Sequence, residues 1–302
     1  MQSNKKINFV FWGTPDVASE TLEILKENGY MPSLIITAPD KPQGRKMLIT
    51  PPPAKVWAIK NNIPYIQPMS FSETLPETRF TGNSRKPGFR EIEIESDINI
   101  VVAYGKIIPE DIINLPKFGS INIHYSLLPK YRGASPVESA ILNGDGETGV
   151  TIQKMEYKMD TGPIIALEKV KIGPDEKAGE LRKRLIKIGG ELLVKTLKTY
   201  TPTLLPLAKG EVPKAEGVFK LTPQDESKAT YCKKIKKEDG LIDLTDDPIK
   251  NYNKFRAYST WPRTYFFLGK KRIIITDATL ENNLFVIKKI IPEGGKETKY
   301  NN

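Results

Sequence analysis

The chain has 302 residues, 39% of them hydrophobic and 27% charged. This is more than one average domain needs and enough to bury a full core, as expected of a soluble globular protein. A net charge of +10 points to an anionic partner, nucleic acid before a membrane surface, with a lysine-rich composition as the plain alternative. One cysteine, Cys232, and one histidine, His124, exclude an internal disulfide framework and a zinc site of the His/Cys type. No apolar run approaches the roughly 18 residues of a membrane span, and Met1 to Lys6 lead straight into a strand without a signal or transit peptide, so a cytoplasmic location is expected.

Ile7 to Trp12 read as a buried strand closed by Gly13-Thr14-Pro15, with Thr14 as helix N-cap and Pro15 as the first helical residue. Val17, Ala18, Leu22 and Leu25 recur on one helical face, and Gly29 ends the helix. Leu34 to Thr37 form a second strand, completing a right-handed strand–helix–strand unit. The turn after the first strand is not G-x-G-x-x-G, so no dinucleotide is expected. Pro39 to Pro53 read as a proline-stiffened loop carrying Lys41, Arg45 and Lys46, with Lys55 just beyond; by itself this is an ordinary solvated basic loop or a polyanion contact. Ala54 to Asn61 read as a short helix and Pro64 to Ile66 as a strand. Phe71 to Glu95 lack a pattern, and Thr81 to Gly88 read as an exposed insertion. Asp97 to Gly105 are a central strand, and Pro109 opens a short helix.

In Ile121-Asn122-Ile123-His124 the isoleucines point one way, and Asn122 and His124 the other. A carboxamide and an imidazole thus share the carboxyl end of a strand, where open α/β sheets place ligands. A lone strand histidine is commonly structural; what shifts the balance is Asp160, in Met159-Asp160-Thr161-Gly162-Pro163, and the run Gly144 to Thr151 between them. A helix is expected over Pro136 to Leu142, extended segments at Val150 to Ile152 and Ile164 to Val170, and a long amphipathic helix from Lys177 to Tyr200, weakened by Gly189-Gly190. Thr201 to Pro206 read as a linker. Beyond it, short β-type segments (Ala229 to Lys233, Thr264 to Phe267, Arg272 to Thr276, Leu284 to Ile291) suggest a small β-barrel. Pro248 to Tyr258 read as a helix whose Tyr252, Phe255 and Tyr258 are core. Residues from Gly294 onward lack strand character. Residues 203–302 carry 19 Lys and Arg against 13 Asp and Glu, which concentrates the positive charge in this back part.

The ordered run through Asn122, His124, Gly144 to Thr151 and Asp160 resembles the folate-dependent formyltransferases. Gly13-Thr14-Pro15, Pro223-Gln224-Asp225 and Ala229-Thr230-Tyr231 look like the branch that acts on initiator methionyl-tRNA in translation initiation. The resemblance spans about Ile7 to Asp277. It implies an α/β fold, a Rossmann-like, open, mostly parallel sheet with flanking helices, followed by a small OB-like β-barrel domain. It divides the chain into a catalytic domain at 1–200, a linker at 201–207 and a tRNA-binding domain at 208–302.

The resemblance also implies catalytic roles for Asn122, His124 and Asp160, and 10-formyltetrahydrofolate as the donor, held by Ser126-Leu127-Leu128-Pro129. The resemblance makes the loop of Lys41, Arg45 and Lys46 the one that reaches the tRNA acceptor end. Lys233, Lys234, Lys236 and Lys237 are expected to touch phosphates from the back domain. Asn122 and His124 can both donate to one oxyanion, His124 can relay a proton near neutrality, and Asp160 can orient or charge His124, or hold a water that takes the proton. The acceptor amine is itself the nucleophile and the formyl donor is already activated, so no metal is needed. A monomer is expected. The alternatives are a formyltransferase for a nucleotide-linked amino sugar and a non-catalytic, basic RNA-binding protein.

Overall fold

Apolar runs punctuated by glycine and proline set the element order. In the computed structural model, which describes residues 7–44, 46–69, 96–199 and 219–300, the chain opens with β1 (Phe9–Gly13), α1 (Asp16–Glu27) and β2 (Leu34–Ile36). Then come β3 (Lys41–Gln43), β4 (Leu48–Thr50), α2 (Pro53–Lys60), β5 (Tyr65–Ile66), β6 (Ile98–Val102), α3 (Glu110–Asn114) and β7 (Ser120–His124). The middle holds β8 (Arg132–Gly133), α4 (Pro136–Leu142), β9 (Glu147–Lys154), β10 (Ile164–Lys171) and α5 (Ala178–Thr199). The rest is β11 (Tyr231–Cys232), α6 (Pro248–Ala257), β12 (Tyr265–Leu268), β13 (Lys271–Glu281), β14 (Leu284–Pro292) and β15 (Thr298–Lys299).

Seven strands form one sheet in the order β10-β9-β7-β6-β1-β2-β5. Pairing is parallel between β1 and β2, β1 and β6, β2 and β5, and β6 and β7. The chain winds outward from β1 through β2 to β5, then crosses to the other side of β1 for β6 and β7. A reversal of this kind opens a crevice at the carboxyl ends of the strands. Every residue of β1 and β6 is buried, as expected for central strands of a sheet covered on both faces. Val10, Trp12, Leu34, Ile36 and Val101 share one core cluster with Ile112 and Ile113 of α3. The weak point predicted in α5 has a packing reason: a Cβ on Gly190 would stand 2.6 Å from Ile24 Cδ1, so the glycine lets α5 approach α1 closely.

Two expectations for the front of the chain fail for physical reasons. Thr14 is not the N-cap of α1; Pro15 occupies that position without a side-chain cap. The Thr14 hydroxyl instead donates to the Tyr104 carbonyl at 2.9 Å and accepts from the Ala38 N–H at 3.3 Å. It therefore ties together the segments that leave β1, β2 and β6. The Pro39–Pro53 segment is not all loop: β3 and β4 make an antiparallel hairpin with Lys41 opposite Thr50. Three-residue strands are too short to show alternation, and Pro42 is tolerated because a two-stranded ribbon has open edges. Met47, Leu48 and Ile49 are exposed there, and Arg45 lies outside the described residues. The insertion around Thr81 to Gly88, within Phe71 to Glu95, and the linker at 201–207 also fall outside them. No helix among the described residues is long and apolar enough to cross a membrane.

The chain divides into two compact units, each drawn from three stretches. The first takes the described residues of Met1–His124, Ile152–Ala166 and Ile186–Gln224; the second takes those of Tyr125–Thr151, Leu167–Leu185 and Asp225–Asn302. Strands β9 and β10 and helix α5 run through both. In the second unit β12, β13, β14 and β15 form an antiparallel sheet. Its core joins Ile273, Ile275 and Ile287 to Tyr252 and Phe255 of α6. These two rings stack at 6.3 Å, and Tyr258 is buried too, so the aromatic triplet is core, as its spacing suggests. The C-terminal residues do contribute a strand: Lys299 pairs with Lys289, and Tyr300 packs edge-on against Phe266 at 5.9 Å. Only two residues pair there, too few to leave a pattern in the sequence. Also in this unit, β8 pairs in parallel with β11, and the buried Arg132 guanidinium donates to both carboxylate oxygens of Glu226, at 2.9 and 2.5 Å.

Candidate active site

The site begins with the register of β7. Asn99 of β6 donates to the Ser120 hydroxyl at 3.1 Å, which in turn donates to the Ile113 carbonyl at 2.7 Å. These bonds fix the start of β7 against β6 and α3, with Ile121 opposite Ile100 and Asn122 opposite Val101. Ile121 and Ile123 are buried in the core, and alternation puts Asn122, half-buried, and His124, 5% exposed, on the opposite face. His124 is the last residue of the strand, so its ring stands at the carboxyl edge.

The structure brings Asp160 to this ring. Asp160 Oδ2 lies 3.6 Å from His124 Nδ1, with the two side chains 11% and 6% exposed. The distance is too long for a hydrogen bond but short enough for direct charge attraction whenever the ring is protonated. Nε2, on the far side of the ring, is the nitrogen turned away from the carboxylate. The two ring nitrogens are thus distinguished by geometry, which is what a proton relay requires.

Asp160 is held in a left-handed conformation, φ 56°, uncommon outside glycine though tolerated by Asp. Two glutamines hold it there. Gln153, buried in β9, donates to Asp160 Oδ1 at 2.8 Å. Gln224 donates to the backbone carbonyls of Asp160 at 2.9 Å and Gly162 at 2.7 Å, and its amide also lies 3.4 Å from Gln153 Oε1. Thr222 and Ile164 exchange two backbone hydrogen bonds of 2.8 Å, which lays the segment carrying Gln224 beside the turn. At Gly162 a Cβ would lie 1.7 Å from the Lys154 carbonyl oxygen, so the turn closes onto β9 only because this residue has no side chain. One carboxylate oxygen is engaged by Gln153 and the other faces the imidazole, which fixes the carboxylate plane.

Sequence reasoning missed the work of these two glutamines. Gln224 stood out only as part of a motif, and Gln153 not at all. The signal for Gln153 was present: a carboxamide after Val150-Thr151-Ile152, on a strand otherwise apolar enough to be buried, needs a partner.

Ser126 to Pro129 belong to the second unit and form a turn closed by its own side chains. The Ser126 hydroxyl donates to the Lys130 carbonyl at 2.5 Å. Thr151 donates to the Ser126 carbonyl at 2.7 Å and accepts from the Leu128 N–H at 3.2 Å. The Ser126 hydroxyl is therefore committed to the turn, while Leu127 and Pro129 are half-buried.

The basic residues divide by their commitments. Lys41 and Lys46 are exposed on the hairpin of β3 and β4, and Lys233, Lys234, Lys236 and Lys237 are exposed after β11. Lys55 is committed: its ammonium binds both oxygens of Asp40, at 2.9 and 2.7 Å, and this contact holds the Asp40 carboxyl below its usual range, with help from Gln67. Lys106, which the sequence did not single out, donates to the Pro68 carbonyl at 2.7 Å. Burial pushes its amine down, and the Lys41 charge adds to the shift.

Comparison with known proteins adds to this geometry. Residues 5–197 match the family described as formyl transferase, and residues 234–298 match the formyl transferase C-terminal domain. The chain is 39% identical over 271 residues to the methionyl-tRNA formyltransferase of a Sulfurihydrogenibium species, covering 90% of this chain and 79% of that one. Among solved structures its fold is similar to an N-formyltransferase from Helicobacter canadensis in complex with folinic acid and dTDP-3-aminofucose, with TM-score 0.63 and 20% identity over 97% of this chain and 100% of that one. It is likewise similar to the methionyl-tRNA formyltransferase from Clostridium thermocellum, with TM-score 0.59 and 18% identity, again over 97% and 100%. At these identities the two structures bear on the fold alone.

Proposed function

The chain belongs to the formyl transferase family, and we propose that it transfers the formyl group of 10-formyltetrahydrofolate to the α-amino group of methionine on initiator methionyl-tRNA, for translation initiation. The observation that carries this reading is the match to a methionyl-tRNA formyltransferase at 39% identity over 90% of the chain, which leaves neither the front nor the back half out.

The reaction needs little from the protein beyond placement and electrostatics. The amine nitrogen attacks the formyl carbon, the carbonyl oxygen gathers negative charge, and the bond from carbon to the folate nitrogen breaks as one amine proton passes, by way of His124 or a water held by Asp160, to that departing nitrogen. Asn122 and His124 donate to the developing oxyanion, a contribution worth about 100- to 1000-fold in rate per donor. Asp160 faces Nδ1 of the imidazole at 3.6 Å and orients the ring. Ser126 to Pro129 hold the folate through backbone and apolar surface, since the Ser126 hydroxyl is engaged within the turn. Lys41, Arg45 and Lys46 meet the acceptor end of the tRNA, and Lys233, Lys234, Lys236 and Lys237 meet phosphates farther away. In this reading residues 1–200 are the catalytic domain, 201–207 a linker and 208–302 the tRNA-binding domain of a monomeric cytoplasmic enzyme.

The test is a formylation assay with 10-formyltetrahydrofolate and charged initiator tRNA, run beside one with a nucleotide-linked amino sugar. Formyl transfer to the methionyl amine is expected. Turnover with the amino sugar alone would assign the enzyme to the sugar branch, and tRNA binding without any turnover would make it a non-catalytic RNA-binding protein.

A further inference from the structure

After α6 the chain lines a small cavity. Tyr258, Ser259, Arg263 and Thr264 line it together with Lys177, just before α5, and Thr276 of β13, around a volume of about 100 Å³. All six belong to the second unit.

Charge and hydrogen bonding describe this cavity independently. Lys177 and Arg263 are cationic and no carboxylate lines the cavity. The Lys177 ammonium stands 5.2 Å over the Phe255 ring, a contact that keeps a cation on the wall without neutralising it. The hydroxyls of Ser259, Thr264 and Thr276 are buried and have no hydrogen-bond partner among the described residues, and Thr264 is only 1% exposed. Buried polar groups are nearly always paired, so three unpaired hydroxyls around one cavity mark the places of a ligand's acceptor atoms. Each can turn about its own bond to donate.

The backbone supports the same site. Arg263 has φ 69°, uncommon for a long side chain. Its N–H donates to the Tyr258 carbonyl at 3.1 Å, and a Cβ on Gly240 would lie 2.2 Å from its carbonyl oxygen, so Arg263 is clamped where it stands. The start of α5 is also near, since a Cβ on Gly179 would touch Thr260 at 3.0 Å, and a helix N-terminus adds positive potential.

Two cations, three donors, no acid and a small volume suit a tetrahedral oxyanion rather than a base or sugar. We propose that this cavity binds a single phosphate group, with Lys177 and Arg263 balancing its charge and Ser259, Thr264 and Thr276 donating to its oxygens. A backbone phosphodiester of tRNA and free inorganic phosphate offer the same chemistry. The first source rests on the function proposed above; the second does not.

The full chain is titrated calorimetrically with inorganic phosphate, and separately with deacylated initiator tRNA at fixed salt. Arg263→Gln and Thr264→Val/Thr276→Val are compared with the parent, with thermal melts to check folding. Saturable phosphate binding is expected, weakened about tenfold or more in each folded variant, the usual loss for a charged hydrogen-bond partner. A similar loss of tRNA affinity without measurable free-phosphate binding also supports the site and assigns it to the nucleic-acid backbone. If the folded variants bind phosphate and tRNA as the parent does, or the parent binds neither, the proposal is overturned. Phosphate binding needs neither donor nor acceptor substrate, so a failed formylation assay beside intact phosphate binding removes the proposed function and leaves the site standing.

Discussion

The Asp160 turn and the cavity beside Arg263 are both polar, and each holds a non-glycine residue in the left-handed region, φ 56° and 69°. They are nevertheless built in opposite ways. At the turn the protein supplies the partners itself: Gln153 for the carboxylate, and Gln224 for two backbone carbonyls. At the cavity three hydroxyls have no partner among the described residues. Groups that stabilise charge as it develops during a reaction must be fixed before the substrate arrives. Groups that bind a standing anion can leave the last bonds for the ligand to make.

The largest expected effect lies at the turn. His124→Ala and Asp160→Ala should each lower turnover by about 100-fold or more with the fold retained, since they remove transition-state stabilisation and little core volume; Asn122→Ala should act likewise. Steady-state rates on purified variants with native circular dichroism decide this. A wild-type rate for His124→Ala would break the comparison at its first term.

Gln224 should matter less, and in a different way. We expect Gln224→Ala to lower kcat by roughly tenfold while leaving KM for both substrates nearly unchanged, because it positions Asp160 without touching substrate. An increase in KM alone would mean that the turn binds substrate instead. Gly162→Ala tests the same turn by stability: a Cβ 1.7 Å from the Lys154 carbonyl forces the turn off β9, at a cost of about 1–3 kcal/mol in denaturant unfolding. An unchanged midpoint would show that the turn moves freely.

On the second unit, exposed lysines should act through binding. Replacing Lys233, Lys234, Lys236 and Lys237 together with alanine should mainly raise KM for tRNA. It should also reduce the salt dependence of affinity by up to roughly 3.6 in a log–log plot, the sum of four lost phosphate contacts. A change confined to kcat would contradict the division of labour proposed between residues 1–200 and 208–302.

The smallest effect is common to both units and is set by pH. Burial pushes the phenols of Tyr104 in the first unit and Tyr131, Tyr252 and Tyr258 in the second up to about 12. An unfolded chain loses these protons near 10. Stability from keeping them neutral is therefore fully present below about pH 10 and is lost as pH rises toward 12. Following tyrosinate absorbance and circular dichroism together through an alkaline titration should reveal a late class of tyrosines that ionise with unfolding. If all twelve tyrosines titrate together before the structure is lost, the burial argument fails.

Much of this molecule is written in its local sequence. The apolar runs of β1, β6 and β7, the stripes of α1 and α5 and the helix over Pro136–Leu142 are legible because periodicity and punctuation are local properties. The placement of Asn122 and His124 on one strand face follows from alternation alone. The motif also pointed to Asp160 as their partner, but the 3.6 Å approach to His124 depends on how β7, β9 and the turn before β10 meet in space. What the chain order could not show is that Gln153 and Gln224, with one at each end of a long sequence separation, converge on Asp160, that Thr14 joins three strand ends instead of capping a helix, or that two residues near the C-terminus complete a sheet. Nor does any pattern reveal three unpaired hydroxyls around one cavity, drawn from α6's trailing segment, β12's approach and β13. Propensity and periodicity are fixed by neighbours in the chain; partners of buried polar groups are fixed by neighbours in space, and only the folded structure brings those together.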